Sequence, residues 1–265
     1  MAIVSALTGR IDTAKYALDR RLRRLGWDLS VLRHGRGYDA DNEQTIEVVG
    51  AETMATAARI NAVCDATRYI VQYEIPGSIV ECGVWRGGMM MAAARTLLKY
   101  NEVRPLYLYD TFSGMTEPTL ADEDSHGRSA RRGMKLYGRD TKGNSLWCNA
   151  SLATVRENMM RTRYPLDQVH FIEGAVEETI PRTVPEQIAI LRLDTDWYES
   201  TAHELKYLFP LIVDHGVLII DDYGHWTGSR QAVDEYVAKI DRPLLLNRTD
   251  YTGRVAVVPP RVPKA

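Results

Sequence analysis

The chain has 265 residues, 45% of them hydrophobic and 26% charged, with a formal net charge of -2 at pH 7. Such a length and composition permit one large buried core and exclude a disordered or fibrous chain. A charge this close to zero supplies no basic field of the kind that draws a protein to nucleic acid, so nucleic acid is set aside as a partner. The cysteines, Cys64, Cys82 and Cys148, are too few and too scattered for a disulfide framework and show no paired zinc spacing, which fits a reduced, cytoplasmic setting.

The first residues form a short apolar run with no basic region before it, a poor signal peptide. Ile11, Ala14, Leu18, Leu22 and Leu25 then recur at three- and four-residue steps beside Lys15, Arg20, Arg21, Arg23 and Arg24. That pattern predicts an amphipathic basic helix over 11–25, expected to pack on the domain or on another subunit, with an anionic membrane surface as the alternative. Gly35, Gly37 and the polar run to Gln44 read as a linker. Residues 1–50 are thus expected to be a helical extension and linker, and 51–265 a single domain. No stretch approaches the roughly 20 apolar residues that a membrane helix needs.

A helix is expected over 53–73. Short apolar runs follow at 78–81, 106–110, 169–173, 188–194, 216–221, 244–248 and 255–258, alternating with helical stretches at 88–99, 151–160, 201–209 and 230–240. Strands alternating with helices predict a mostly parallel sheet covered on both faces, and the last two runs, with no helix between them, an antiparallel hairpin. The outline is a seven-stranded, Rossmann-like class I methyltransferase fold of the α/β class, preceded by the N-terminal helical extension. Residues 117–149 carry little apolar periodicity and include Asp122-Glu-Asp124 and Arg131-Arg132. A polar stretch that long reads as a lid-like insertion on the substrate side.

The first strand ends Glu81-Cys82-Gly83-Val84-Trp85-Arg-Gly-Gly88. A glycine at the carboxyl end of a first strand lets the backbone approach a ligand closely, and ligands bind in that crevice. The GxGxxG turn that cradles a pyrophosphate is missing, which disfavours a nicotinamide dehydrogenase. S-adenosylmethionine has no phosphates and carries positive sulfonium and ammonium groups, so Glu81 makes electrostatic sense beside it. Asp110, ending the second strand, is placed to accept hydrogen bonds from ribose hydroxyls. Thr111, Phe112 and Ser113 after it, and Gly174 after the third strand, complete the expected cofactor contacts together with Cys82, Val84 and Trp85.

The fourth run delivers Asp194 and Asp196, and the fifth Asp221 and Asp222, at strand ends expected to share one rim. Carboxylates so concentrated repel one another unless a cation or proton intervenes. An all-oxygen donor set suits a hard divalent cation such as magnesium. Helix capping accounts for one such aspartate but strains to account for Asp194, Asp221 and Asp222 together.

The blocks Glu81–Gly88, Asp110–Met115, 191–200, 216–224, 230–236 and 250–254, several and in order, resemble the macrocin O-methyltransferase family, which includes macrolide and aminocoumarin sugar methyltransferases. The resemblance spans roughly 53–258. It implies methylation of a sugar hydroxyl with S-adenosylmethionine and magnesium, with Asp194, Asp221 and Asp222 matching the metal ligands. It also implies that Asp196 matches an aspartate proposed as general base and that Thr53-Met54 matches a segment closing over the cofactor. Family habit and the basic helix point to a homo-oligomer, a dimer or higher, acting on a small-molecule or oligosaccharide acceptor. The metal would acidify the acceptor hydroxyl and Asp196 would take its proton, with His225 and His203 as rival bases. Two alternatives remain: a metal-dependent catechol-type O-methyltransferase, and a domain that binds a nucleotide-like ligand without turning it over.

Overall fold

One seven-stranded sheet, ordered β3-β2-β1-β4-β5-β7-β6, takes in the runs expected as strands, although of the run at 244–248 only Asn247 and Arg248 pair and its leucines lie outside the strand. In chain order the strands are β1 Ser78–Cys82, β2 Leu106–Asp110, β3 Val169–Glu173, β4 Ile188–Leu193, β5 Ile212–Ile220, β6 Asn247–Arg248 and β7 Arg254–Val257. The first five pair in parallel, while β7 runs antiparallel to both β5 and β6. The computed structural model describes residues 37–137 and 147–261, so the expected basic helix over 11–25 lies outside the described residues. The chain divides into units Met1–Glu43 and Gln44–Ala265; only residues 37–43 of the first are described.

Helix α1 is Ala40–Val49, so part of the stretch expected as linker is helical, with Asp41 and Glu43 in a first turn that favours negative charge. Helix α2, Ala57–Gln72, buries Ile60, Val63, Cys64, Thr67 and Ile70 at helical spacing and is capped by Thr56, whose side chain accepts from the backbone N–H of Arg59. Helix α3, Gly88–Lys99, buries Met89, Met90 and Met91 along with its alanines, so the methionine run is core. The remaining helices are α4 Ala130–Tyr137, α5 Leu152–Arg161, α6 Val176–Thr179, α7 Tyr198–Leu208 and α8 Thr227–Val237. Helix α4 falls inside the polar stretch where no regular element was expected. Its basic residues Arg131, Arg132 and Lys135 stand among only two residues described as buried, Ala130 and Met134, too sparse to register as a helical stripe.

Strands β1 and β4 are buried along their whole length. Val80, Leu191, Leu193, Leu218 and Ile220 pack with Leu205 and Leu208 of α7 and Val233 of α8 into one core. The parallel strands therefore end together on one edge, the edge at which ligands bind in open α/β sheets. Among the described residues no helix is long and apolar enough to cross a membrane.

Candidate functional site

At the end of β1 the chain turns at Gly83, whose φ is +80°. A Cβ there would stand 2.0 Å from the carbonyl oxygen of Asp194. Only glycine lets the β1 turn lie against the end of β4, and this is the physical content of the glycine in the first motif. The turn is held from the neighbouring strand. Asp110 Oδ2 accepts the backbone N–H groups of Val84 at 2.7 Å and Trp85 at 3.0 Å, and Oδ1 accepts that of Phe112 at 2.8 Å. Trp85 and Phe112 both have positive φ, 46° and 50°, so the carboxylate of Asp110 stabilises two strained turns at once. Burial raises the Asp110 carboxyl above its ordinary value, and the three backbone donors pull it back.

These turns border a cavity of about 1100 Å³. Of the expected cofactor contacts, Met54, Gly83, Val84, Trp85, Asp110, Thr111 and Gly174 line it; Glu81, Cys82, Phe112 and Ser113 do not. Asp194, Asp196, Asp221, Asp222 and His225 line it as well. His203 does not: its ring Nε2 lies 2.9 Å from the carbonyl oxygen of Ile180.

Glu81 is only 1% exposed, and its partner is a residue that the motif reading passed over. Arg192 faces it across the β1–β4 ladder, and the guanidinium Nη1 bonds Glu81 Oε1. The same Nη1 lies 2.7 Å from Asp194 Oδ2, and Nη2 donates to Asp221 Oδ1 at 2.5 Å. Arg59, from α2, donates through Nη1 to Asp221 Oδ2. Two arginines thus neutralise part of the acidic rim. The available signal for Arg192 was a lone cation in a strand otherwise apolar from 188 to 193, since a buried charge requires a partner. Nothing in the local pattern marked Arg59.

Asp194, Asp221 and Asp222 each offer a carboxylate oxygen, all within 4.8 Å of one another. Desolvation pushes the Asp194 carboxyl well up against the pull of Arg192, and pushes up Asp222, which also feels the charges of Asp196 and Asp221. Asp196 is raised to about 7 by desolvation and by the charge of Asp194, against the pull of the neighbouring Asp222 and Trp226 side chains. Its φ of 66° places it in the left-handed region, a strained conformation of the kind found at functional sites. Carboxyls raised by burial and by one another's charge, and met only in part by Arg192 and Arg59, are an arrangement a divalent cation would relieve. Burial lowers the His225 imidazole, whose Nδ1 is 3.3 Å from the Tyr251 hydroxyl.

The polar stretch after residue 117 is fastened to the rim. Asp122, fully buried, accepts the N–H and hydroxyl of Thr119 on Oδ2, both at 2.7 Å. Its Oδ1 accepts the N–H of Tyr198 at 3.0 Å and so caps α7, whose own N-cap, Trp197, offers no side-chain acceptor. Thr227, opening α8, donates N–H and hydroxyl to the carbonyl of Glu123. Ala130, Met134, Trp147 and Trp197 form a small core of their own, with Met115 and Trp226 against it. Of this cluster Met115, Ala130, Met134, Trp197 and Trp226 line the cavity.

The family profile described as Macrocin-O-methyltransferase (TylF) matches residues 33–255. Demethyldecarbamoylnovobiocin O-methyltransferase of Streptomyces niveus is 33% identical over 197 residues, 72% of this chain and 70% of that protein. Mycinamicin III 3''-O-methyltransferase of Micromonospora griseorubida is 34% identical over 188 residues, 70% of each chain. Among solved structures, that of the O-methyltransferase NovP superposes with a TM-score of 0.65 at 28% identity, covering 79% of this chain and 83% of that one.

Proposed function

The chain belongs to the macrocin O-methyltransferase family, and from that membership and the acidic rim we propose that it transfers a methyl group from S-adenosylmethionine to a sugar hydroxyl of a glycosylated small molecule, with a divalent cation, magnesium, held by Asp194, Asp221 and Asp222. The observation that carries the reading is the junction in one cavity of the turns at Gly83–Trp85 and Asp110 with three carboxylates whose oxygens lie within 4.8 Å. The donor set is all oxygen, which fits a hard cation. The names of the two relatives, aminocoumarin and macrolide O-methyltransferases, support an acceptor of the same kind.

S-adenosylmethionine supplies an electrophilic methyl on a sulfonium. The cation supplies positive charge that lowers the pKa of an acceptor hydroxyl. The protein's own contribution is orientation and proton acceptance. Asp110 stiffens the turns that border the donor half of the cavity, and Met54, on the segment before α2, covers it. Trp197 and Trp226, packed edge to face with ring centroids 5.1 Å apart, give the acceptor half aromatic surface of the kind that stacks on sugar C–H faces. Asp196 is the base in this reading. An unperturbed aspartate is a poor base for an alcohol, so the acidification of the hydroxyl by the cation would have to supply most of the shift.

The test is transfer from S-adenosylmethionine to a panel comprising a desmethyl aminocoumarin glycoside, a desmethyl macrolide glycoside, free monosaccharides and catechol, with Mg2+ or with EDTA, read by mass spectrometry. The reading expects Mg2+-dependent methylation of a glycoside. Methylation of catechol alone would move the protein to the phenol-methylating class, and absence of S-adenosylmethionine binding by the folded protein would remove the enzyme assignment.

A further inference from the structure

Arg59 lies in the first turn of α2, three residues after the cap Thr56, and joins two parts of the site. Its Nη1 bonds Oδ2 of Asp221, while Arg192 holds Oδ1 of the same carboxylate, so both oxygens of a residue in the three-aspartate cluster end on guanidinium groups. Its Nε is 3.1 Å from Asp250 Oδ2. That oxygen also accepts the Thr56 hydroxyl at 2.6 Å, and Asp250 Oδ1 accepts the N–H groups of Thr252 and Gly253 at 2.9 and 2.8 Å. The stem of Arg59 fills the space at Gly253, where a Cβ would come within 3.1 Å of its Cγ and Cδ.

The other end of the same segment is pinned as tightly. A Cβ on Gly88, the first residue of α3, would stand 2.5 Å from the carbonyl oxygen of Glu52 and 2.9 Å from Thr53 Cβ. The Glu52 carboxylate accepts from Arg161 at 2.9 Å. Between these anchors Thr53, Met54 and Ala55 line the cavity, and Met54 is 58% exposed although it sits between two fixed ends. Residues 52–59 are therefore a strap over the donor half of the cavity. Its second anchor is a carboxylate of the acidic rim.

We propose that Arg59 is a positioning residue that fastens this strap to Asp221 and, by occupying that carboxylate with a fixed positive charge, opposes the divalent cation that the rim would hold. The inference rests on the reading of the cavity as an S-adenosylmethionine site beside a divalent cation site. Its signature is a pair of changes of opposite sign. A guanidinium a few ångströms from a cation site costs that cation Coulomb energy that survives screening, because the groups are partly buried. Arg59→Gln removes that repulsion and frees one end of the strap together. Loss of an interaction serving only the fold would weaken both ligands alike.

The experiment is calorimetric titration of S-adenosylhomocysteine alone and of Mg2+ alone into wild type, Arg59→Gln, Arg59→Lys and Asp250→Asn. Arg59→Gln should bind Mg2+ more tightly, on the order of tenfold, and S-adenosylhomocysteine more weakly by a similar factor. Arg59→Lys restores the charge without the two-pronged fork, so Mg2+ affinity returns towards wild type while S-adenosylhomocysteine affinity stays reduced. Asp250→Asn, which cuts the strap's second tie and keeps the acceptor for Thr252 and Gly253, weakens S-adenosylhomocysteine and leaves Mg2+ unchanged, and it carries the test should Arg59→Gln fail to fold. Unchanged affinities in these variants, or parallel weakening of both ligands, would overturn the inference while leaving the functional reading intact. A wild type that binds neither ligand overturns that reading and this inference with it.

Discussion

Replacing Gly83 by alanine puts the fold and the site to one test. The residue holds φ at +80°, where an L side chain costs about 1–2 kcal/mol. The new Cβ would stand 2.0 Å from the carbonyl oxygen of Asp194 and 2.6 Å from its carbon, both backbone atoms that cannot rotate away. Relief requires the β1 turn and the end of β4 to part by more than an ångström. One ladder bond lies across that seam, Asp194 N–H to Cys82 O at 2.9 Å. Losing it in a buried setting costs about 1–3 kcal/mol. The total is about 3 kcal/mol, which for a domain of this size lowers Tm by about 10 °C. Differential scanning calorimetry measures the shift, and S-adenosylhomocysteine titration of the folded variant should show affinity reduced by at least about tenfold, since the same seam borders the cavity. A variant that melts within about 2 °C of wild type and binds S-adenosylhomocysteine equally well would refute the claim that close backbone approach at Gly83 builds the site.

Asp122→Ala strips α7 of its cap and leaves the N–H groups of Thr119 and Tyr198 unmet, a loss of about 3 kcal/mol that should also speed tryptic cleavage at Arg128, Arg131 and Arg132; cleavage at the wild-type rate would deny Asp122 its fastening role. Asp196→Asn should lower kcat by about 100-fold or more while Mg2+ binding persists, and kcat within a factor of about three of wild type would hand the proton to another group. Glu204, fully buried on α7 and bonded to the Thr195 hydroxyl at 2.9 Å, has its carboxyl pushed well up by desolvation. Folded protein keeps this proton where unfolded chain, with an ordinary value near 4.3, releases it, so the stability from this group is full below that value and drains away as pH rises towards the folded one. In EDTA, Tm should therefore fall more between about pH 5 and about pH 8 in wild type than in Glu204→Gln, and parallel curves would show that Glu204 is not held neutral.

The centre of the sheet was legible because β1 and β4 are short, apolar and buried on both faces, so each registered as a run against the polar turns around it. Boundaries slipped where capping comes from elsewhere: α7 begins at Tyr198 rather than Thr201 because Asp122, seventy-six residues upstream, supplies its cap. The aspartates at the ends of β4 and β5 stood out as doublets, and adjacent parallel strands could only bring them to one rim. What failed to show was pairing across long separations. Glu81 read as an acid waiting for a cationic ligand, yet its cation is Arg192, 111 residues away. Arg59 reaches Asp221 across 162 residues, and no local spacing encodes that meeting. The polar stretch after 117 likewise concealed α4 and its aromatic core, since the tryptophans that complete it come from three separate segments.

The most direct test of the central claim is a Mn2+ titration, followed by its paramagnetic resonance signal, of wild type and Asp222→Asn, each already saturated with S-adenosylhomocysteine. The account predicts that both proteins bind S-adenosylhomocysteine, that wild type takes up Mn2+, and that the variant loses at least about tenfold in Mn2+ affinity. Equal Mn2+ uptake by the two proteins, or none by wild type, would contradict it and return Asp194, Asp221 and Asp222 to a purely structural role.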